Sequence, residues 1–179
     1  PEALNDLAPV WAVARSPYLL VVHPDVPAKT VADFVKLAKA KPGVLNFGSP
    51  GSASPQHLAT ELFNAAAGID VVAVQYKGTG PAIADLIGGQ TQGAVVTVAA
   101  IESFVSSGRV RALAVTGSTR WEKMPAIPTI AESGYPGFRA DISFGTYVAG
   151  GTPRNIVLAL NAAIREVLAQ KDVRDKLDE

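Results

Sequence analysis

Hydrophobic residues fall along this chain in two alternating textures. Short continuous apolar runs, of the kind buried on both faces of a parallel sheet, occur at Tyr18-Leu19-Leu20-Val21-Val22, Val71-Val72-Ala73-Val74-Gln75, Gly93 to Val98 and Val110 to Thr116. A shorter run, Val44-Leu45-Asn46-Phe47, and a later one, Ile142 to Val148, also read as extended. The first run belongs to a longer apolar stretch, Leu7 to Val22, which Arg15-Ser16-Pro17 is expected to interrupt. His23-Pro24-Asp25 then turns the chain.

Between these runs lie helix-period segments with recognisable ends. Thr30 is an N-cap with Asp33 three residues on, and Val31, Phe34, Val35 and Ala38 form one apolar face. Lys36, Lys39 and Lys41 gather where the helix dipole favours cations, and Pro42-Gly43 stops the helix. Ser54 followed by Pro55 starts a second helix, with Leu58, Leu62, Phe63 and Ala66 as its expected buried stripe and Gly68 at its end. Pro81 to Leu86 and Ala100 to Val105 are short helices closed by glycines, and Ile130-Ala131-Glu132 is a third candidate in a Pro-rich loop from Arg120 to Pro136. Thr152 is expected to cap the last long helix, opened by Pro153, with Ile156, Leu160, Ile164 and Leu168 facing inward. Strands alternating with helices predict βαβ units: an α/β fold with a mostly parallel central sheet flanked by helices.

Composition narrows the function classes. The 16 Lys and Arg balance the 16 Asp and Glu, so the formal charge is zero. That argues against a nucleic-acid binder, which needs a basic face to displace counterions, and gives no polybasic membrane anchor. A hydrophobic fraction of 48% is too high for a disordered chain. With no cysteine there is neither a disulfide nor a Cys-based metal site. No uncharged apolar run reaches the ~18 residues of a membrane span. The chain opens Pro-Glu-Ala-Leu-Asn-Asp, so a signal peptide, if the protein is made with one, is expected to have been removed.

Candidate chemistry sits in two glycine-containing loops. Gly48 to Ser54 lies at a strand's carboxyl end and opens a helix, where α/β folds bind ligands. Small residues admit an anion, helix N–H groups and the dipole favour it, and Ser49, Ser52 and Ser54 add hydroxyls. A carboxylate or a phosphate suits such a nest; a tight turn with an N-cap is the plainer alternative. The loop lacks the Lys-Ser/Thr ending of a P-loop and the glycine spacing of a dinucleotide fingerprint. Gln75 to Pro81 repeats the geometry one unit later. There the Gly78-Thr79 backbone is a stronger candidate than Lys77, since lysines are usually solvated. His57, at the third helical position, is expected to be neutral and hydrogen-bonded, more for structure than for ligand contact. His23 is expected to be exposed. Asp85 and Glu61 read as exposed-face or capping groups, and Trp11 and Trp121 as packing residues. Gly-x-Ser-x-Gly does not occur, and no nucleophile–base pair or paired carboxylates stand out.

Read in order, the motifs resemble the solute receptors of tripartite tricarboxylate transporters, the TctC or Bug family. The resemblance is carried by Asp6-Leu7-Ala8-Pro9-Val10, by Gly48-Ser49-Pro50-Gly51-Ser52 followed by His57-Leu58-Ala59, and by Tyr76-Lys77-Gly78. It continues through Pro81-Ala82, Asp85-Leu86, Gly88-Gly89-Gln90, Arg111 to Thr116 and Pro128 to Glu132. Gly134, Pro136-Gly137-Phe138, Gly151-Thr152-Pro153 and Leu160-Asn161 complete it over nearly the whole chain.

The resemblance implies a type II periplasmic-binding-protein fold: a two-lobed, non-enzymatic periplasmic receptor without a cofactor. Such a receptor closes on a small organic acid — a di- or tricarboxylate, an acidic amino acid or an aromatic acid — and hands it to a membrane carrier. It implies carboxylate contacts from the Gly48–Ser54 loop, at Ser49, Gly51, Ser52, Ala53 and Ser54; Lys77, Gly78 and Thr79 of the second loop, with Thr97 and Ser143, are the further ligand-contact candidates. The chain departs from the pattern in lacking the first lobe's opening strand and acid-containing glycine loop. Residues 16–138 are expected to form the second lobe, and residues 1–15 and 139–179 the segments crossing back to the first. Exposed crossover surface would favour a homodimer or segment exchange. Thr91-Gln92-Gly93 stands where the family usually has an acidic position, which bears on the contacts expected near Thr97. Docking on a membrane sensor kinase, and a small α/β enzyme acting on an acidic substrate, are the alternatives.

Overall fold

The computed structural model describes residues 6–177. They divide into two compact units, one from Ser16–Ile142 and one from residues 6–15 and 143–177. Residues 1–5 and 178–179, assigned above to the crossover segments, lie outside the described residues.

In the Ser16–Ile142 unit the strands run in the order β3-β2-β4-β1-β5. They are β1 (Leu7–Val22), β2 (Asn46–Ser49), β3 (Val72–Gln75), β4 (Gly93–Thr97) and β5 (Arg111–Val115). β2 pairs in parallel with both β3 and β4, whereas β1 is antiparallel to its neighbours β4 and β5. The sheet is therefore mixed, and the expectation of a mostly parallel one holds only for β2, β3 and β4. β1 also runs unbroken through Arg15-Ser16-Pro17. Its register with β4 begins at Tyr18, so the absent Pro17 N–H removes no bond from that ladder.

Alternation along β1 feeds two cores. Tyr18, Leu20 and Val22 point into a cluster with Phe34, Phe47 and Phe63, while Leu19 and Val21 join Ile83, Leu86, Val96 and Ile101 on the other face. Helix α1 (Val31–Ala40) covers the first face through Val31, Phe34, Val35 and Ala38, and starts with a full Thr30–Asp33 capping box. The Thr30 hydroxyl, then the Lys29 N–H, hold the Asp33 carboxyl below the usual carboxylate range.

Helix α2 (Pro55–Ala67) starts at Ser54 and stops at Gly68 in the left-handed conformation, as expected. Its buried stripe differs from the expected one. Ala59, Thr60, Phe63, Asn64 and Ala67 face inward, and Leu58 and Leu62 are 59% and 46% exposed. Small residues let the helix approach the sheet closely. Asn64 is no burden there, because its amide gives a hydrogen bond to the Val71 carbonyl and takes one from the Val71 N–H. β3, expected to be buried, is a sheet edge paired only with β2, and Val72 is 40% exposed.

Helices α3 (Thr79–Ile87) and α4 (Val98–Ser106) cover the second face. The Ile130-Ala131-Glu132 segment is a turn rather than a helix, closed by reciprocal bonds between Thr129 and Glu132. His23 is only partly exposed, its ring against Gly89. The Arg111 guanidinium ties down the Pro24–Ala28 loop by donating to the carbonyls of Pro24, Val26 and Ala28 at 3.0–3.2 Å.

The other unit contains most of β6 (Asp141–Ala149), which pairs with β1, and helices α5 (Arg154–Ala169) and α6 (Lys171–Leu177). Pro153, not Thr152, is the N-cap of α5, and no side chain caps it. The Asn161 amide donates to the Val10 carbonyl at 2.7 Å, and Arg165 lies over the Trp11 ring. No α5 residue is buried: Ile156 and Leu160, expected to face inward, are 46% and 39% exposed.

Candidate functional site

Because β2, β3 and β4 are parallel, they end at one edge of the sheet, at Ser49, Gln75 and Thr97. A helix begins shortly after each: α2 behind Ser54, α3 behind Gly78 and α4 behind Thr97. Three positive helix ends thus share one edge, where a parallel sheet binds ligands. Neither Gly78 nor Thr97 caps its helix with a side-chain hydrogen bond. Those first-turn N–H groups have no intrahelical acceptor and suit an anion.

The Gly48–Ser54 loop is shaped by its own hydrogen bonds. Ser49 is buried, and its hydroxyl donates to the Gly51 carbonyl at 3.3 Å. Gly51 has φ +153° and Ala53 has φ +56°, inside a turn closed by the Ser54 N–H on the Gly51 carbonyl. The Ala53 N–H donates to His57 Nδ1 at 3.1 Å, and the Ser54 hydroxyl accepts from the His57 N–H at 3.2 Å. The Leu58 N–H returns to the Ser54 carbonyl. Pro55 has no N–H, so it leaves no orphan donor at the start of α2. Ser52 is exposed on the loop.

The second loop is fastened to the first. The Tyr76 N–H donates to the Ser49 carbonyl at 2.8 Å and the Gly78 N–H to the Pro50 carbonyl at 3.1 Å. Gly78 has φ +112°, which an L side chain resists. Lys77 is exposed, and Thr79 opens α3. Gly48 brings α3 close: a Cβ there would sit 3.2 Å from the Ala82 carbonyl.

Two supporting groups were not read as such from the sequence. The Tyr76 hydroxyl donates to the Asp85 carboxylate at 2.7 Å, pinning the loop to α3. Burial first, then the Asp85 hydrogen bond and charge, push the Tyr76 hydroxyl up to about 12. A tyrosine just before a glycine loop and an aspartate nine residues on were the only signal. His57, expected to be hydrogen-bonded, proves to be bonded to the loop itself, and its Nε2 lies 3.7 Å from Glu61 Oε1.

Thr97 ends β4 opposite Tyr18 of β1, on the same edge as the two loops. Thr91-Gln92 lies at the other end of β4, where the Gln92 side chain accepts from the Asn46 N–H and its own N–H donates to the Asn46 carbonyl. The departure from the family's acidic position is therefore a strand-end fastening, roughly 15 Å of strand away from Thr97 at ~3.3 Å per residue. Ser143 is exposed on β6, in the other compact unit. Among the described residues no group of three or more His, Asp or Glu gathers for a metal ion, and no helix is long and apolar enough to cross a membrane.

The family model for the tripartite tricarboxylate transporter family receptor matches residues 2–179. The chain belongs to that family, whose members are periplasmic solute-binding receptors rather than enzymes. It is 37% identical to Protein BugT of Bordetella pertussis over 96% of its own length and 53% of that protein's. It is also 37% identical to a Pseudomonas sp. (strain P51) protein from the tcbD-tcbE intergenic region, covering 97% of this chain and 52% of the relative. Among solved structures it is similar to Rpa4515 of R. palustris with adipate (TM-score 0.86, 35% identity, 99% of this chain and 60% of that one). MatC from Rhodopseudomonas palustris with bound malate matches with TM-score 0.84 and 31% identity, over 96% of this chain and 58% of that one. The chain thus spans about half the length of the curated relatives it matches.

Proposed function

We propose that the Ser16–Ile142 unit is the second lobe of a periplasmic receptor that takes up a small carboxylate, most simply a dicarboxylate, and passes it to a tripartite tricarboxylate-type carrier. The observation that carries this reading is the convergence of three helix N-termini on one sheet edge, two of them without side-chain caps. In this reading Ser52, Ser54, Thr79 and Thr97 meet a carboxylate through hydroxyl and N–H donors, while Gly78, whose N–H is taken by the Pro50 carbonyl, shapes the second loop. Ser49, Gly51 and Ala53 shape the loop, and Lys77 supplies a mobile positive charge. The adipate and malate carried by the two R. palustris structures are the class of solute this donor set suits.

The ligand would bridge two lobes and stabilise the closed state by its higher affinity for it. A micromolar ligand corresponds to about −8 kcal/mol, and hydrogen bonds to a charged group contribute roughly 1.5–3 kcal/mol each. One lobe holds half the contacts, so the 179-residue chain alone should bind malate or adipate only near millimolar. The test is a thermal-shift titration of the chain joined to a first lobe of the same family, against mono-, di- and tricarboxylates and phosphate. A concentration-dependent rise with one group of acids supports the reading. No rise with any acid, in protein freed of co-purified ligand, overturns it, and a rise with phosphate alone assigns the site to phosphate.

A further inference from the structure

We propose that His57 is a positioning residue for this loop: its ring, acting as a hydrogen-bond acceptor, sets the Ala53–Ser54 turn that presents the serine hydroxyls. The proposal deepens the carboxylate reading and, for its effect on binding, rests on it.

In an ordinary capping box the third helical residue reaches back to the N–H of the N-cap. That N–H is already taken here, since Ser54 donates to the Gly51 carbonyl. His57 reaches one residue further and accepts from the Ala53 N–H at 3.1 Å, while its own N–H donates to the Ser54 hydroxyl at 3.2 Å. The fastened residue is Ala53, the sole non-glycine residue with positive φ among the described ones. An L residue leaves that conformation unless its neighbours hold it. A bond to its N–H fixes the orientation of the Ser52–Ala53 peptide and, through the cap, the Ser54 hydroxyl.

The ring is suited to this in one protonation form only. Nδ1 must offer its lone pair, so the proton belongs on Nε2, which faces Glu61. Glutamine or glutamate at this position, the usual capping-box choice, would place its acceptor one bond further from the backbone.

The test compares His57→Asn, whose Oδ1 can replace Nδ1, with His57→Leu, which has no acceptor. Nuclear magnetic resonance of the 179-residue chain reads the His57 tautomer and the Ser52–Gln56 amides. Titrations with malate and adipate, on the chain joined to a first lobe, read affinity. We expect the Nε2–H tautomer in the unmodified chain and a displaced, faster-exchanging Ala53 amide in His57→Leu. That variant should also lose at least tenfold in affinity while its core amides exchange as slowly as in the unmodified chain, and His57→Asn should stay within threefold. A ring protonated on Nδ1, or an Ala53 amide unaffected by His57→Leu, overturns the proposal. So does equal malate and adipate binding by His57→Leu and the unmodified protein. If the unmodified protein binds neither acid, the carboxylate reading falls, and the positioning claim is decided by the Ala53 amide alone.

Discussion

The two compact units are built from the same alphabet but solve burial differently. In the Ser16–Ile142 unit the sheet has a core on each face, and Tyr18, Leu20, Phe34, Phe47 and Phe63 are almost completely enclosed. In the other unit the sixteen residues of α5 carry a helical apolar stripe, yet none is buried. Amphipathic periodicity therefore states which face of a helix needs cover, not whether the chain itself supplies that cover. The site residues draw their rigidity from the enclosed unit, where strand ends and helix starts are fixed by two cores.

This contrast can be tested from its strongest arm to its weakest. Phe34 stacks with Phe63 and tilts against Phe47, at centroid distances of 6.4 and 5.4 Å. Phe34→Ala should lower the urea-unfolding free energy by about 3–5 kcal/mol; a loss under about 1 kcal/mol would show the core to be loosely packed.

Tyr76→Phe should act more modestly, at about 1 kcal/mol near neutral pH, by freeing the Asp85 carboxylate from its partner. It should also change the alkaline limb of the stability curve. The folded-state Tyr76 value of about 12 lies above the ordinary 10.0. Its contribution is thus full below pH 10 and lost as pH rises through about 12. Tyr18, raised by burial and then by Asp141, adds a term of the same sign. Tyr76→Phe should flatten that limb without abolishing it, and an unchanged slope between pH 10 and 12 would refute the assignment.

The smallest effect belongs to α5. Ile156→Ser should shift stability by no more than about 0.5 kcal/mol, because nearly half of the residue is already in water and it is not part of a buried core. A cost above about 1 kcal/mol that grows with protein concentration would mean that a second copy covers the stripe in solution.

Elements ruled by local chemistry were legible in the sequence. Thr30 with Asp33, Ser54 with Pro55, and Gly68 each mark a helix end through bonds within a few residues. What depended on partners far along the chain was not. Helical spacing puts Leu58 and Leu62 on one stripe with Phe63, yet both are exposed. Close packing of α2 selects Ala59, Thr60, Asn64 and Ala67 instead. β1 crosses Pro17 because its ladder with β4 starts one residue later. The position of the candidate site followed from a glycine-serine run before an N-cap. The bonds that shape it, His57 to Ala53 and Tyr76 to Asp85, depend on rotamers and on loop directions that no spacing specifies.

The Arg111 clasp has a consequence for the order of assembly. The three carbonyls it gathers lie 83 to 87 residues upstream, in a Pro-containing loop otherwise held by few bonds of its own. Closing so long a loop costs chain entropy before the guanidinium's hydrogen bonds repay it. The Pro24–Ala28 segment leaves the ribosome before β5 does, so its clasp waits until β5 has been synthesised and laid beside β1.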